Sequence, residues 1–352
     1  MQGDHALLVQ LNSSASGAPS GVVIWDVPLD GSPARQLVAY TRGPQIFAEY
    51  DVMALTRQLS PDGRRLVLSD PLDADGGLIV VDLIAGTARR IPLVAGGGLV
   101  GASGWPAWSP DGRRIAYRGA IASGVLQKDT GVWVVSEAGG DARQVVASDL
   151  SSGATSIYGW TDDGEGIIYA QRPDAPSVVS VSSGAVAQIG GQTTGVSPVA
   201  LRAKRPSVAI VFDDEVPRGP LIGHVEVRDT VTGTGKVVAR YGPTEGTFLN
   251  EPRWRPGSDE ILVFYAVGQG VQERDELVIV DGVTGTRRTL ATPGFVRSAA
   301  WSADGKQIIY ANLEEVRIRG ADGSNDRVLF RTSSPSRTET ALVIGLCAFA
   351  PR

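Results

Sequence analysis

Along most of the chain, apolar and polar residues alternate with a period of two, the pattern of strands with one buried face. No stretch carries the period of a long helix. The clearest instance, Ala107 to Tyr117, reads AWSPDGRRIAY, and a close copy, AWSADGKQIIY, returns at Ala300 to Tyr310. Each predicts a strand, a tight turn and a second strand. Proline presets φ for a type I turn, and glycine supplies the left-handed residue that closes a three-residue loop.

Further copies read QLSPDGRRLVL from Gln58, GWTDDGEGIIY from Gly159 and RWRPGSDEILVFY from Arg253. The anchors Leu59, Trp108, Trp160, Trp254 and Trp301 are spaced by 49, 52, 94 and 47 residues. The long gap is two periods, so a degenerate copy is expected near residue 201, and ALRAKRPSVAIVF from Ala200 fills it. A second hairpin follows most copies, as in IVVDLIAGTARRIPL, VWVVSEAGGDARQVVA and LVIVDGVTGTRRTLA. Four strands in a period of this size make one propeller blade. The tryptophan is expected to wedge between neighbouring blades, where an indole buries a large apolar area.

The ends of the chain set the blade count. The closing CAFAPR aligns with PAWSPD, with Phe349 in the tryptophan position, and the opening GDHALLVQL aligns with DGRRIAYRG, the end of the turn and the second strand. The C-terminus is therefore expected to supply the first strand of a blade and the N-terminus the other three. That closure hides strand edges. The expectation is an all-β, seven-bladed β-propeller with four antiparallel strands per blade, residues 1–352 forming one domain. Six blades with loose terminal strands is the alternative.

The recurring W-S-P-D-G followed by an apolar strand resembles the WD-like repeats of TolB-type β-propellers, and the resemblance covers the whole chain. It departs at Leu59, at Leu201 and at Arg255-Pro256-Gly257. The resemblance implies a platform for protein or peptide partners, commonly outside the cytoplasm in bacteria. It carries over no catalytic residue, because its motif positions are structural.

Composition narrows the classes. The chain has 42% hydrophobic and 20% charged residues and a net charge of -5, which suits a globular protein with a sizeable core and gives no basic face for nucleic acid. One cysteine, Cys347, permits no intrachain disulfide, and no metal site is expected. The N-terminus lacks a signal-peptide pattern, so either the protein is cytoplasmic or a leader is absent from this sequence.

Motifs that would carry chemistry are sparse. GGGLVG, Gly96 to Gly101, fits G-x-G-x-x-G but leads into a strand, whereas a dinucleotide site needs a helix there. DADGG from Asp73 lacks the later ligands of a calcium loop, and ADGSNDR from Ala321 is expected to be a hairpin turn. The two histidines, His5 and His224, fall near the edges of predicted strands. No catalytic residue and no cofactor is assigned.

In a propeller, the links between blades and the loops joining second and third strands share one face, opposite the Asp-Gly hairpins. The least repeat-like segments, Tyr40 to Leu55, Asp213 to Gly223, Tyr241 to Trp254 and Gly268 to Glu276, fall on that loop face. Exposed aromatics and arginines make interface anchors, so Arg42, Phe47, Tyr50, Tyr241, Phe248 and Arg253 are the candidate partner contacts. The axial channel is the other natural ligand position. The expected function is a non-catalytic scaffold binding a protein, peptide or glycan in a bacterial extracytoplasmic setting. The alternatives are a hydrolase or lyase acting at the channel, and a structural subunit of a surface layer or filament.

Overall fold

The computed structural model describes residues 5–13, 19–40, 55–70, 77–95, 98–99, 101–123, 126–148, 155–171, 176–189, 199–201, 207–214, 222–241, 247–248, 252–267, 274–290, 296, 298–312, 315–331 and 340–349. Within them, seven small antiparallel sheets follow one another as the blades of a propeller. Blade 1 holds His5–Ser13, Pro19–Pro28 and Arg35–Tyr40, with Thr340–Phe349 as its inner strand. His5 pairs with Phe349 and Ser13 with Thr340, so the two ends of the chain close the ring in the expected register.

Blade 2 runs through Arg65–Asp70, Gly77–Asp82 and Thr87–Ala95. Its inner strand is reduced to a single bridge, Leu59 to Leu66, preceded by a helical turn, Leu55–Gln58. Blade 3 is Gly101–Trp108, Arg114–Ser123, Leu126–Ser136 and Arg143–Ala147. Blade 4 is Thr155–Trp160, Gly166–Gln171, Ser177–Ser180 and Val186–Gln188. The degenerate copy forms blade 5, with Val199–Leu201, Ser207–Asp214, Ile222–Asp229 and Gly235–Tyr241. In blade 6 the inner strand is split into Thr247–Phe248 and Arg253–Trp254, both paired with Glu260–Val267; Arg274–Asp281 and Arg287–Leu290 complete the sheet. Blade 7 is Ser298–Trp301, Gln307–Ala311, Glu315–Gly320 and Arg327–Arg331.

The core is not one mass but a wedge at every blade boundary. Leu7, Val9 and Ile24 of blade 1 pack on Leu66, Leu68 and Val81 of blade 2, while Ala6 and Leu8 face Ile309 and Ile318 of blade 7. Alternation along each strand thus sends one set of side chains forward around the ring and the other backward. The tryptophans sit in these wedges as expected. Trp160 Nε1 donates to Ala107 O of blade 3 at 3.0 Å, and Trp301 Nε1 donates to Arg253 O of blade 6 at 3.0 Å. Arginines of the preceding blade cover the indoles: Arg65 over Trp108 at 4.7 Å, Arg114 over Trp160 at 4.9 Å and Arg255 over Trp301 at 5.2 Å.

The repeated turn has a chemical reason for its residues. Ser60, Ser109, Thr161 and Ser302 each donate a hydroxyl to Asp62, Asp111, Asp163 and Asp304 at 2.5–2.7 Å. The same hydroxyls accept the backbone N–H of Arg65, Arg114, Gly166 and Gln307. Glycine closes each turn at positive φ, as Gly112 does at 67°.

A second contact recurs around the ring that the turn motif does not announce. Arg35, Arg89, Arg143, Lys236, Arg288 and Arg327, each at or near the start of an outer strand, donate to backbone carbonyls in the outer hairpin of the next blade. The acceptors are Leu83, Glu137, Val181, Val283, Ala321 and Leu29. The last of these, Arg327 to Leu29 at 2.9 Å, crosses from blade 7 to blade 1 and fastens the ring a second time. Blade 4 has Ala187 at this position, and there the bond runs backward, from Arg228 of blade 5 to Ile189 O at 3.5 Å. At the same boundary Leu201 replaces tryptophan, and a Cβ at Gly159 (φ 138°) would stand 2.6 Å from Leu201 Cδ1. Among the described residues, the boundary between blades 4 and 5 is the least fastened of the ring.

Replacing Ala187 by Arg, aimed at the carbonyl of Thr230, is expected to raise stability by about 0.5–1.5 kcal/mol, the net worth of one hydrogen bond. Denaturant titration of the two proteins checks it. The acid response comes from the turns. The carboxyls of Asp111 and Asp163 lie below their ordinary value of 3.8, chiefly because Ser109 and Thr161 hydroxyls donate to the charged form. A depressed folded-state pKa contributes stability that is complete above 3.8 and lost as pH falls through the lowered value. Asp111→Asn should therefore destabilise the protein at pH 6, and the gap from wild type should close as pH falls through the lowered value.

Candidate functional site

The inner strands of a propeller surround an axial channel, and their loop-face ends form its mouth. Beside these inner strands lies a short turn of the chain itself. The helical turn Leu55–Gln58 enters just before Leu59, the first residue of blade 2's inner edge, and lies against Gly101–Trp108 of blade 3 and Thr340–Phe349 of blade 1. From it Arg57 reaches across the axis to blade 4. Its guanidinium donates to Ile157 O and lies 5.9 Å from the ring centre of Tyr158. Four blades are thus tied together at the mouth by one short turn. Gln58, beside Arg57, is buried.

The inner strands present small polar groups rather than a reactive set. Thr155, Ser156 and Ser298 are buried there. Among the described residues no three His, Cys, Asp or Glu side chains come together as a metal site. His5 is buried at the start of its strand, with Nδ1 2.6 Å from Asp26 Oδ1, and Arg35 lies 3.4 Å from the other carboxylate oxygen. This cluster faces blade 2 through Arg35, away from the axis, and reads as a satisfied buried histidine. His224 is half-buried within Ile222–Asp229.

Of the six sequence-derived contact candidates, three lie within the described residues. Arg42, Phe47 and Tyr50 lie outside the described residues. Tyr241 ends the outer strand of blade 5, opposite Gly223, and Phe248 pairs with Tyr265 at the start of blade 6. Arg253 is half-buried in the inner strand, and its carbonyl accepts Trp301 Nε1. GGGLVG contributes Gly98–Leu99, which pairs with Val94 and Ala95 as a hairpin and opens no helix. Most of DADGG lies outside the described residues, whereas ADGSNDR forms the expected turn, with Gly320 N donating to Ser324 O at 2.8 Å.

Sequence reasoning missed Arg57 and the cleft on the hairpin face. That cleft, of about 580 Å³, lies between blades 6 and 7 and is lined by Arg255, Arg288, Lys306, Asp322 and Ser324 among others. The departure of blade 6 from the turn motif, Arg255-Pro256-Gly257, was its only signal. Arg57 carried none, since a four-residue helix is too short to show a period.

Losing Arg57 should loosen the mouth. Arg57→Ala is expected to cost about 1.5–3 kcal/mol, the worth of a hydrogen bond to a charged group. Arg57→Lys, which keeps the charge but not the planar fork, should recover part of it. Equilibrium unfolding of both variants checks the order.

Comparison with known proteins places the architecture. No protein-family model matches the chain, and no curated protein matches it. Among solved structures it is similar to TolB from Acinetobacter baumannii, with 16% identity and a TM-score of 0.53 over 83% of this chain and 65% of that one. It therefore spans less than two thirds of that TolB chain. An oligogalacturonate lyase in complex with manganese gives a TM-score of 0.59 at 13% identity, covering 94% of this chain and 86% of the other. The oligogalacturonate lyase of Vibrio parahaemolyticus gives 0.58 at 10%, covering 93% and 85%. At such identities the likeness is one of fold alone, and the chain's own seven sheets make it a seven-bladed β-propeller.

Proposed function

We propose that the protein is a non-catalytic binding scaffold that recognises a protein, peptide or glycan through its loop-rich face. One observation carries this reading. The Leu55–Gln58 turn, standing where blade 2's inner strand would run, lies against the inner strands of blades 1 and 3 with Arg57 bonded to blade 4, so its groups beside the channel serve to hold blades together. Recognition is then left to the surface around the mouth. The segments that the repeat pattern assigns to that face, Tyr40 to Leu55 and Tyr241 to Trp254, mix aromatic, charged and proline residues as interface anchors do. The opposite face is committed to the Ser–Asp–Gly turns over most of its circumference.

The repeat's resemblance to TolB-type propellers supports a bacterial extracytoplasmic setting, in the periplasm or at the cell surface. No helix among the described residues is long and apolar enough to cross a membrane.

The test is a pull-down from lysate and envelope fractions using the intact chain and two variants. In one, residues 41–54 are replaced by a Gly-Ser linker; in the other, residues 242–252 are replaced. The expected result is that at least one variant, still folded by thermal melting, loses a partner retained by wild type. Partners kept by both folded variants would remove the loop-face assignment. Turnover of an oligosaccharide or peptide by wild type that Arg57→Ala accelerates would favour a channel enzyme instead.

A further inference from the structure

We propose that the cleft between blades 6 and 7, on the hairpin face, binds a small organic anion that also carries hydroxyl groups. This is independent of the loop-face reading, since the cleft lies at the other end of the blades. It also coincides with blade 6, whose turn has a charged residue in place of the Ser–Asp clamp. At the position of Ser60, Ser109, Thr161 and Ser302 blade 6 has Arg255, and at the position of Asp62, Asp111, Asp163 and Asp304 it has Gly257. An arginine stands where blades 2, 3, 4 and 7 keep a small hydroxyl.

The cations of the cleft are held in place from beneath. Arg255 pairs with Glu260, and Arg288 Nη2 lies 3.8 Å from the same carboxylate. One negative charge is therefore shared between two guanidiniums. Stacking over Trp301 fixes the plane of Arg255, and the bond from Arg288 to Ala321 O fixes Arg288. Each guanidinium has five N–H donors, so these contacts leave donors for a ligand. Lys306 adds a third cation at the rim. Its partner Asp304 is 3.4 Å away, but the two side chains are 78% and 47% exposed, so water weakens that pair.

The blade 7 hairpin adds an acceptor beside these cations. Asp322 accepts from Ser324 N at 2.9 Å and from Ser324 Oγ at 2.7 Å, which fixes the carboxylate and leaves its other oxygen for a hydroxyl. Asp322 is held below its ordinary value first by the Ser324 hydroxyl, so it remains an acceptor at neutral pH. Cations beside a fixed acceptor suit a ligand that carries both an oxyanion and hydroxyls. A volume of about 580 Å³ lies within the range of small-molecule sites. Guanidinium pairs suit carboxylate and phosphate alike.

The experiment is calorimetric titration of the full chain at low salt with three probes: glucuronate, glucose 6-phosphate and glucose. At least one acidic sugar is expected to bind with millimolar affinity or better, glucose at least tenfold more weakly. The tighter of the two acids identifies the head group as carboxylate or phosphate. Lys306→Gln should weaken the acid at least threefold. Arg64→Gln, at the equivalent turn position of blade 2, should leave affinity unchanged; both residues are exposed, so both variants should fold. No binding of either acid, equal binding of glucose, or equal weakening by the two variants would overturn the proposal.

Discussion

Everything in this molecule depends on the pairing of the first and last strands. Each blade is a small sheet that cannot bury both of its faces alone, and it does so only against two neighbours. A ring offers every blade two neighbours, but only if its ends meet. The register from His5–Phe349 to Ser13–Thr340 provides that meeting and removes the two edges an open arc would expose. Arg327, reaching Leu29 O across the same boundary, adds a side-chain fastening to the backbone one. The closure blade is thus made from the most distant parts of the chain, and its formation must wait for the others.

Once closed, the ring distributes its stability unevenly. Boundaries with tryptophan, a covering arginine and an outer cation combine three kinds of contact at one wedge. Between blades 2 and 3 these are Trp108, Arg65 and Arg89, with Glu137 taking both arginines at 2.8 and 2.6 Å. Between blades 4 and 5 the counterparts are Leu201, Gly166 and Ala187, which provide shape but no charge. Local opening is drawn from places with few such contacts, so motion around the ring should concentrate at that boundary. The channel turn works against it, because Arg57 anchors blade 4 to blade 2 from the axis.

The fold was legible because its determinants are local and repeated. A Ser-Pro-Asp-Gly turn announces its hairpin, and seven spaced copies announce a ring. Even the shared blade emerged from aligning Phe349 with the tryptophans. The outer cations were present in the same sequence, as Arg89 in GTARRIPL and Lys236 in GTGKVV. They went unread because a single basic residue on an exposed strand looks like ordinary surface, and its meaning lies in a carbonyl some fifty residues away. The candidate site was less legible for a related reason. The cleft joins residues 255, 288, 306 and 322, which no local pattern links. Loop residues were nominated by composition alone, and composition does not show that the carbonyl of Arg253 also serves Trp301.

Departures from a repeat are the most informative positions in such a chain, and two kinds must be told apart. At Leu201 and Ala187 residues are lost: the tryptophan, the Asp-Gly turn and the outer cation are all missing there. Relaxed selection on one boundary is enough to produce that. At Arg255 and Glu260 residues are exchanged, and the exchange is mutual. Glutamate stands where Arg65 and Arg114 stand, arginine where serine stands, and the two pair across the turn while Arg255 still covers the next indole. A paired exchange that preserves the wedge and opens a charged cleft beside it preserves the scaffold while changing its surface chemistry. Blade 5 therefore bears on how the ring moves, and blade 6 on what the ring can hold.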